Sequence, residues 1–165
     1  MERETACCFT GHRELPVAQM EDLCHALQTT IDLLYTEKRI TTYYAGGARG
    51  FDALASEAVI KHRVVLPDLR LVVVVPHEEQ AKWWSVEEQE RYERIKSEAN
   101  EVITLAPHYF RGCMQKRNRC LADGSDGGIC YLTKSAGGTA YTVDYAAKQG
   151  KPIFNVAEKL GPAGA

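Results

Sequence analysis

Five consecutive apolar residues, Leu71-Val72-Val73-Val74-Val75, lie between Pro67 and Pro76. A strand with one wet face alternates apolar and polar residues. An unbroken β-branched run instead marks a strand covered on both faces, the situation of a parallel sheet packed between helices. Such a sheet needs crossover connections of a dozen residues or more, usually helical.

The flanking sequence supplies those crossovers. Residues 5–10 read as a short buried strand ending at Gly11. Beyond Pro16, which favours a helix start, Met20, Leu23, Leu27, Ile31 and Leu34 recur at the spacing of an amphipathic helix. Residues 40–45 form the second strand, and Gly46-Gly47 break it ahead of a helix over 51–65 that Pro67 ends. After the valine run, residues 85–100 are highly charged but keep Tyr92, Ile95 and Ala99 at helical spacing. Strands are predicted at 101–105, 128–132 and 153–156, and helices at 112–122 and 139–149. In the last helix Val143, Ala146 and Ala147 should point inward, with Gly150 just past its end. Alternating strands and helices imply right-handed crossovers. The expected fold is α/β, a Rossmann-like three-layer sandwich with a mainly parallel sheet. It forms a single domain over residues 1–160, with a frayed tail at 161–165.

Composition narrows the function classes. A chain of 165 residues suits one domain, and its formal charge of −2 gives no overall basic signal, so any anion site must be local. Cys7, Cys8, Cys24, Cys113, Cys120 and Cys130 make no C-x-x-C pair, and no metal site is expected. Cys7, Cys8 and Cys130 sit in apolar runs, as buried small hydrophobes do. The start, Met1-Glu2-Arg3-Glu4, is charged, and the apolar stretch behind it is too short for a signal peptide. No stretch approaches the ~18 apolar residues of a membrane span. The expectation is a cytoplasmic protein with no membrane partner; a homo-oligomer is compatible with the sequence.

In open parallel sheets ligands bind beyond the carboxyl ends of the strands. The first strand is followed by Thr10-Gly11-His12-Arg13, in which Gly11 permits close approach and Arg13 can grip a phosphate. The second is followed by Gly46-Gly47-Ala48-Arg49-Gly50-Phe51-Asp52, a glycine-rich turn into a helix that reads as an anion nest. Its spacing matches neither G-x-G-x-x-G nor the Walker pattern. Asp52 either caps the helix or accepts from a ribose hydroxyl. The fifth strand is followed by Ser135-Ala136-Gly137-Gly138-Thr139, a further cradle with hydroxyl donors. Glycine-rich turns can also exist for packing alone. Arg111, Lys116, Arg117 and Arg119 surround Asn118: either a solvated face, or a set in which Arg117 and Asn118 reach over the sheet end. Trp83 and Trp84 open the charged helix; one should be core and the other should cover the sheet edge, with base stacking as the alternative. No carboxylate pair at a glycine loop nominates a general acid or base.

Taken in order, Cys8-Phe9-Thr10-Gly11-His12-Arg13, the Gly46 to Asp52 turn, Cys113-Met114-Gln115-Lys116-Arg117-Asn118-Arg119 and Gly137-Gly138-Thr139-Ala140-Tyr141-Thr142 resemble the YpsA-like family. That family belongs to the SLOG superfamily of Rossmann-like domains, with DNA-processing protein A and the LOG phosphoribohydrolases. The resemblance implies a nucleotide-derived ligand, such as ADP-ribose, NAD or a nucleotide, in a sensing or regulatory role. No cofactor is certain beyond that ligand. Two alternatives follow from the relatives. One is N-glycosidic or phosphoribosyl hydrolysis, for which Asp52 and Asp144 are the weak catalytic candidates, because the LOG glutamate position is not matched. The other is binding of single-stranded DNA, which the acidic balance of the chain disfavours.

Overall fold

The computed structural model describes residues 5–161. Met1-Glu2-Arg3-Glu4 and all of the tail but Gly161 therefore lie outside the described residues. Gly161 accepts a hydrogen bond from Gln19 Nε2 at 2.6 Å.

Strand β1 (Thr5–Gly11) leads through a 3-10 turn at Val17–Gln19 into α1 (Met20–Lys38). There follow β2 (Ile40–Ala45), α2 (Phe51–His62), β3 (Arg70–Val75), α3 (Val86–Glu98) and β4 (Glu101–Thr104). The chain then forms α4 (Cys113–Asp123), β5 (Gly127–Tyr131), α5 (Gly138–Lys148), β6 (Ile153–Asn155) and a 3-10 turn at Val156–Lys159. The six strands form one sheet in the order β4-β3-β2-β1-β5-β6, and every neighbouring pair is parallel. The α/β, Rossmann-like expectation holds.

The valine run shows why it is apolar throughout. Val73 and Val75 join the larger core cluster with Leu23, Leu27 and Ile31 of α1, whereas Val72 and Val74 join a smaller one with Cys8 and Leu121 of α4. Successive side chains of β3 thus enter opposite layers, and both are closed. Phe9 and Tyr43 stack at 5.0 Å across β1 and β2, and Phe51 meets Phe9 edge-on at 6.2 Å.

Four local expectations need correction. The second helix stops at His62, whose imidazole meets Asp32 at 3.0 Å; the chain turns there, leaving Val64 and Val65 exposed. Ala147 is exposed, because α5 presents Thr142 and Ala146 to the interior instead. Trp83 and Trp84 lie in a turn ahead of Ser85, whose hydroxyl caps α3 by accepting from Glu88 N. Trp84 packs on the core against Tyr92, but Trp83 is 87% exposed and covers nothing. Gly150, with φ 75, follows the end of α5 as expected.

Two loop ends interlock beside the sheet. A Cβ on Gly11 would collide with the ring of Phe51, and one on Gly50 would collide with the backbone of Arg13. Phe51 N also donates to His12 O at 3.1 Å. Gly50 has φ +76, so a side chain there meets both backbone strain and a collision; Gly112, at φ +89, faces open space. Gly112→Ala should lower stability by about 1 kcal/mol through strain alone, and Gly50→Ala by about 3 kcal/mol or more. Urea denaturation of the two variants checks the difference; equal losses would contradict it.

Candidate functional site

Strand order reverses between β1 and β5: the chain moves outward from β1 through β4, then returns to the far side of β1. The loops after β1 and β5 therefore part, and a cleft of about 390 Å³ opens between them. The end of β1 contributes Phe9, Thr10 and Gly11 to its wall, and the loop after it contributes His12, Arg13 and Glu14. Ala48 and Asp52 come from the turn into α2. Met114, Arg117, Asn118 and Leu121 come from one face of α4, at helical spacings of three and four. Lys134, Gly138 and Thr139 complete the wall ahead of and within the first turn of α5.

The start of α5 is the open part of the site. Its first amides have no partner within the helix, and no side chain caps them. Gly137 has φ +105, and nothing lies within 4 Å of where its Cβ would be; at Gly138 only Asn118 Nδ2 comes near, at 3.7 Å. The positive end of a helix thus faces a cleft that also carries Arg13, Lys134 and Arg117.

The glycine loop after β2 is filled. Arg117, 5% exposed, donates from Nη1 to Gly46 O and from Nε to Asn118 Oδ1 at 2.9 Å. Gln80 Nε2 donates to Gly47 O at 3.1 Å. The amides of Gly46 and Ala48 face the carboxylate of Asp52, with Ala48 N at 3.4 Å. The amides of this turn thus face the protein's own carboxyl group, Asp52, rather than standing open as those at the start of α5 do. Gly11 and Gly50 likewise lie against Phe51 and the Arg13 backbone, and Gly11 also lines the cleft.

Asp52 is 5% exposed. Burial pushes its pKa up to about 6, against the opposing pull of Arg117, the two amides and Arg13. Burial also lowers the pKa of Arg117, while Asp52 supports its charged form. His12 is held neutral: its Nε2 accepts from Thr133 N at 2.9 Å, which leaves the ring proton on Nδ1. Burial, then the Lys134 ammonium, lowers its pKa.

Ten of the residues singled out from sequence meet in the cleft wall: Thr10, Gly11, His12, Arg13, Ala48, Asp52, Arg117, Asn118, Gly138 and Thr139. Gly46, Gly47, Arg49, Gly50 and Gly137 do not line it. Gly47, Arg49 and Gly50 border a smaller depression of about 40 Å³ between α2 and α3. There Arg49 lies 5.3 Å over Trp84 and 3.4 Å from Glu88. Asp144 is exposed, pairs with Lys148 at 2.9 Å and is absent from the wall. Sequence reasoning passed over Met114 and Lys134. Lys134 was legible as a cation just ahead of the Gly137-Gly138 turn.

The model of a family described as the YspA SLOG family (YpsA) matches residues 7–156. The chain is 28% identical to the SPbeta prophage-derived protein YoqJ of Bacillus subtilis, over 74% of this chain and 78% of that protein. It is 29% identical to a UPF0398 protein of Bacillus cereus, over 72% of this chain and 66% of that one. Among solved structures, DNA processing protein A of Helicobacter pylori, described for its single-stranded DNA binding mode, is similar with a TM-score of 0.64 at 19% identity. That likeness covers 92% of this chain and 64% of the other. The Streptococcus pneumoniae protein of the same name gives 0.63 at 16% identity, covering 92% of this chain and half (50%) of that one. At these identities the two structures show a shared fold.

The elevated pKa of Asp52 has a consequence for stability. The folded state binds this proton more tightly than the unfolded chain, so its contribution is largest below pH ~4 and is lost as pH rises through about 6. Between pH 4 and 7, wild type should lose on the order of 2 kcal/mol more than Asp52→Asn. Arg117→Met should move the Asp52 titration above 6, read from its side-chain carboxyl carbon by NMR. A wild-type titration near pH 4 would contradict both.

Proposed function

This chain belongs to the YspA SLOG family, and we propose that its cleft binds the phosphate of a nucleotide-type ligand. The observation that carries the reading is the uncapped start of α5, open at Gly137 and Gly138, facing a cleft that also presents Arg13, Lys134 and Arg117. Free amides at a helix start and convergent cations together favour an anion. Both stand where strand order reverses, the usual ligand position in open parallel sheets. The volume, about 390 Å³, lies in the range of small-ligand pockets.

In this reading the phosphate takes the amides of Gly138 and Thr139, with Arg13 and Lys134 closing over it. Arg117 keeps two of its nitrogens on Gly46 O and Asn118 and adds positive potential from the cleft floor. The Asp52 carboxylate stands on the α2 side and accepts from a ribose hydroxyl. ADP-ribose, NAD and mononucleotides all carry this combination of phosphate and ribose, and the role is sensing or regulation. Hydrolysis of an N-glycosidic bond is the competing reading of the same site. Asp52 supports it as a buried carboxylate with an elevated pKa in the cleft. Release of free base from AMP or NAD, lost in Asp52→Asn, would favour hydrolysis over binding alone.

A ligand present at a hundred times its Kd should stabilise the protein by about 2.7 kcal/mol, and so raise Tm by roughly 5–10 °C. Arg13→Ala and Lys134→Ala should each weaken binding about tenfold, as expected for loss of a charge-assisted hydrogen bond. If ADP-ribose, NAD and the common mononucleotides all leave Tm unchanged, the reading fails.

A further inference from the structure

The loops after β1 and β5 flank the cleft, and one side chain joins them. His12 Nε2 accepts from Thr133 N at 2.9 Å. The backbone of the same residue reaches two further elements: His12 N donates to Tyr131 O at 3.3 Å, and His12 O accepts from Phe51 N at 3.1 Å. The ring meets Tyr131 edge-on at 5.8 Å. His12 is thus held by its main chain to β5 and α2, while its imidazole is turned to Thr133.

What lies beyond Thr133 gives that bond its weight. Leu132 is fixed by Asn155, whose Oδ1 accepts from Leu132 N at 3.2 Å and whose Nδ2 donates to Leu132 O at 2.9 Å. Residues 133–138 are all exposed. Among the described residues, Lys134, Ser135 and Ala136 make no hydrogen bond; the next is at Gly137 O, which accepts from Tyr141 N at 3.0 Å. The Thr133 amide is therefore the last anchor ahead of Lys134, and Lys134 and Gly138 both line the cleft. A short exposed segment with so few contacts takes its position from the bonds at its ends.

We infer that His12 is a positioning residue for the cleft, and that it works only as a neutral acceptor. By accepting from Thr133 N it holds Lys134 and the approach to α5 against the loop after β1, and protonation of the ring releases them. This role rests on the cleft binding a phosphate and adds regulation to that site: affinity is lost on acidification. An imidazolium carries a proton on both nitrogens and has no acceptor, so it cannot keep the bond from Thr133 N. Burial, then the Lys134 ammonium, already disfavours that charge. The other charged groups in the wall are Arg13 and Glu14 on the same loop, Asp52 on α2 and Arg117 on α4; Tyr131 is the titratable neighbour on β5. Direct contact between His12 and the phosphate would have the opposite sign, since an imidazolium there would strengthen anion binding as pH falls.

The test compares wild type, His12→Gln and His12→Ala as full chains. The Gln side chain offers an amide oxygen in place of Nε2 and does not titrate. ADP-ribose, NAD and AMP are each titrated calorimetrically from about pH 8 to about pH 5, and the ratio of wild-type to His12→Gln affinity is read. Ionisation of the ligand and of Asp52 is common to both proteins and cancels in that ratio. The ratio should fall as pH drops below 6.5, the ordinary imidazole value, by up to about tenfold, the effect of losing Lys134. At the alkaline end His12→Gln should match wild type, and His12→Ala should bind about tenfold more weakly. In unliganded wild type the Thr133 amide resonance should move with the His12 ring titration, and in His12→Gln it should stay fixed. A ratio that is flat or rises on acidification overturns the role and leaves the cleft reading standing. So does His12→Gln binding as weakly as His12→Ala, or a Thr133 amide that ignores His12. If wild type binds none of the three ligands at any pH, the cleft reading fails, and the Thr133 amide alone then decides whether the clasp exists.

Discussion

Phe51 is the contact on which the rest of the site depends. Its ring fills the space a side chain at Gly11 would need, and it lies at 6.2 Å from both Phe9 and Tyr131, on the two strands that flank the reversal of strand order. Its amide bonds the carbonyl of His12, so the loop after β1 is joined to the first turn of α2 by both packing and a hydrogen bond. Asp52, the next residue, is thereby carried to the cleft floor. Burying the aromatic ring contributes the energy that holds two otherwise independent loops at a fixed separation.

A carboxylate delivered to that position must be compensated, and the loop after β2 compensates it. The amides of Gly46 and Ala48 turn toward Asp52, and Arg117 comes from α4 to Gly46 O. Burial still outweighs these partners, which leaves the acid poised at about 6. The arrangement couples α2, α4 and the β2 loop through one buried charge pair. Removing either member would leave the other uncompensated, a much larger penalty than the net worth of the pair.

The sheet, its parallel sense and most element boundaries could be read from the sequence because they follow from short-range pattern. The valine run, the α1 stripe and the glycine after α5 each carry their own signal. What could not be read was the job of each glycine. Gly11, Gly46, Gly50 and Gly137 look alike along the chain, yet the first three are occupied by Phe51, Arg117 and the Arg13 backbone, and only Gly137 among them faces open space. That distinction depends on long-range neighbours, which local spacing does not encode. The same holds for Trp83 and Trp84: adjacent in sequence, one reaches Tyr92 and the other points out, because only one side of the turn meets the core.

Charge is divided in the same uneven way. The net value of −2 describes a surface rich in carboxylates, many of them on α3, where Glu87, Glu88, Glu90, Glu93 and Glu98 accumulate. The stretch from 102 to 122 holds none, and it is this stretch that supplies Arg117 to the cleft wall. With a Debye length near 8 Å at physiological salt, the acidic helix acts on its immediate surroundings and is screened beyond them. A locally cationic wall and an acidic chain are therefore compatible: the field at the start of α5 is set by Arg13, Lys134, Arg117 and the helix end, set against the carboxylates of Glu14 and Asp52 in the same wall, more than by the composition of the whole chain.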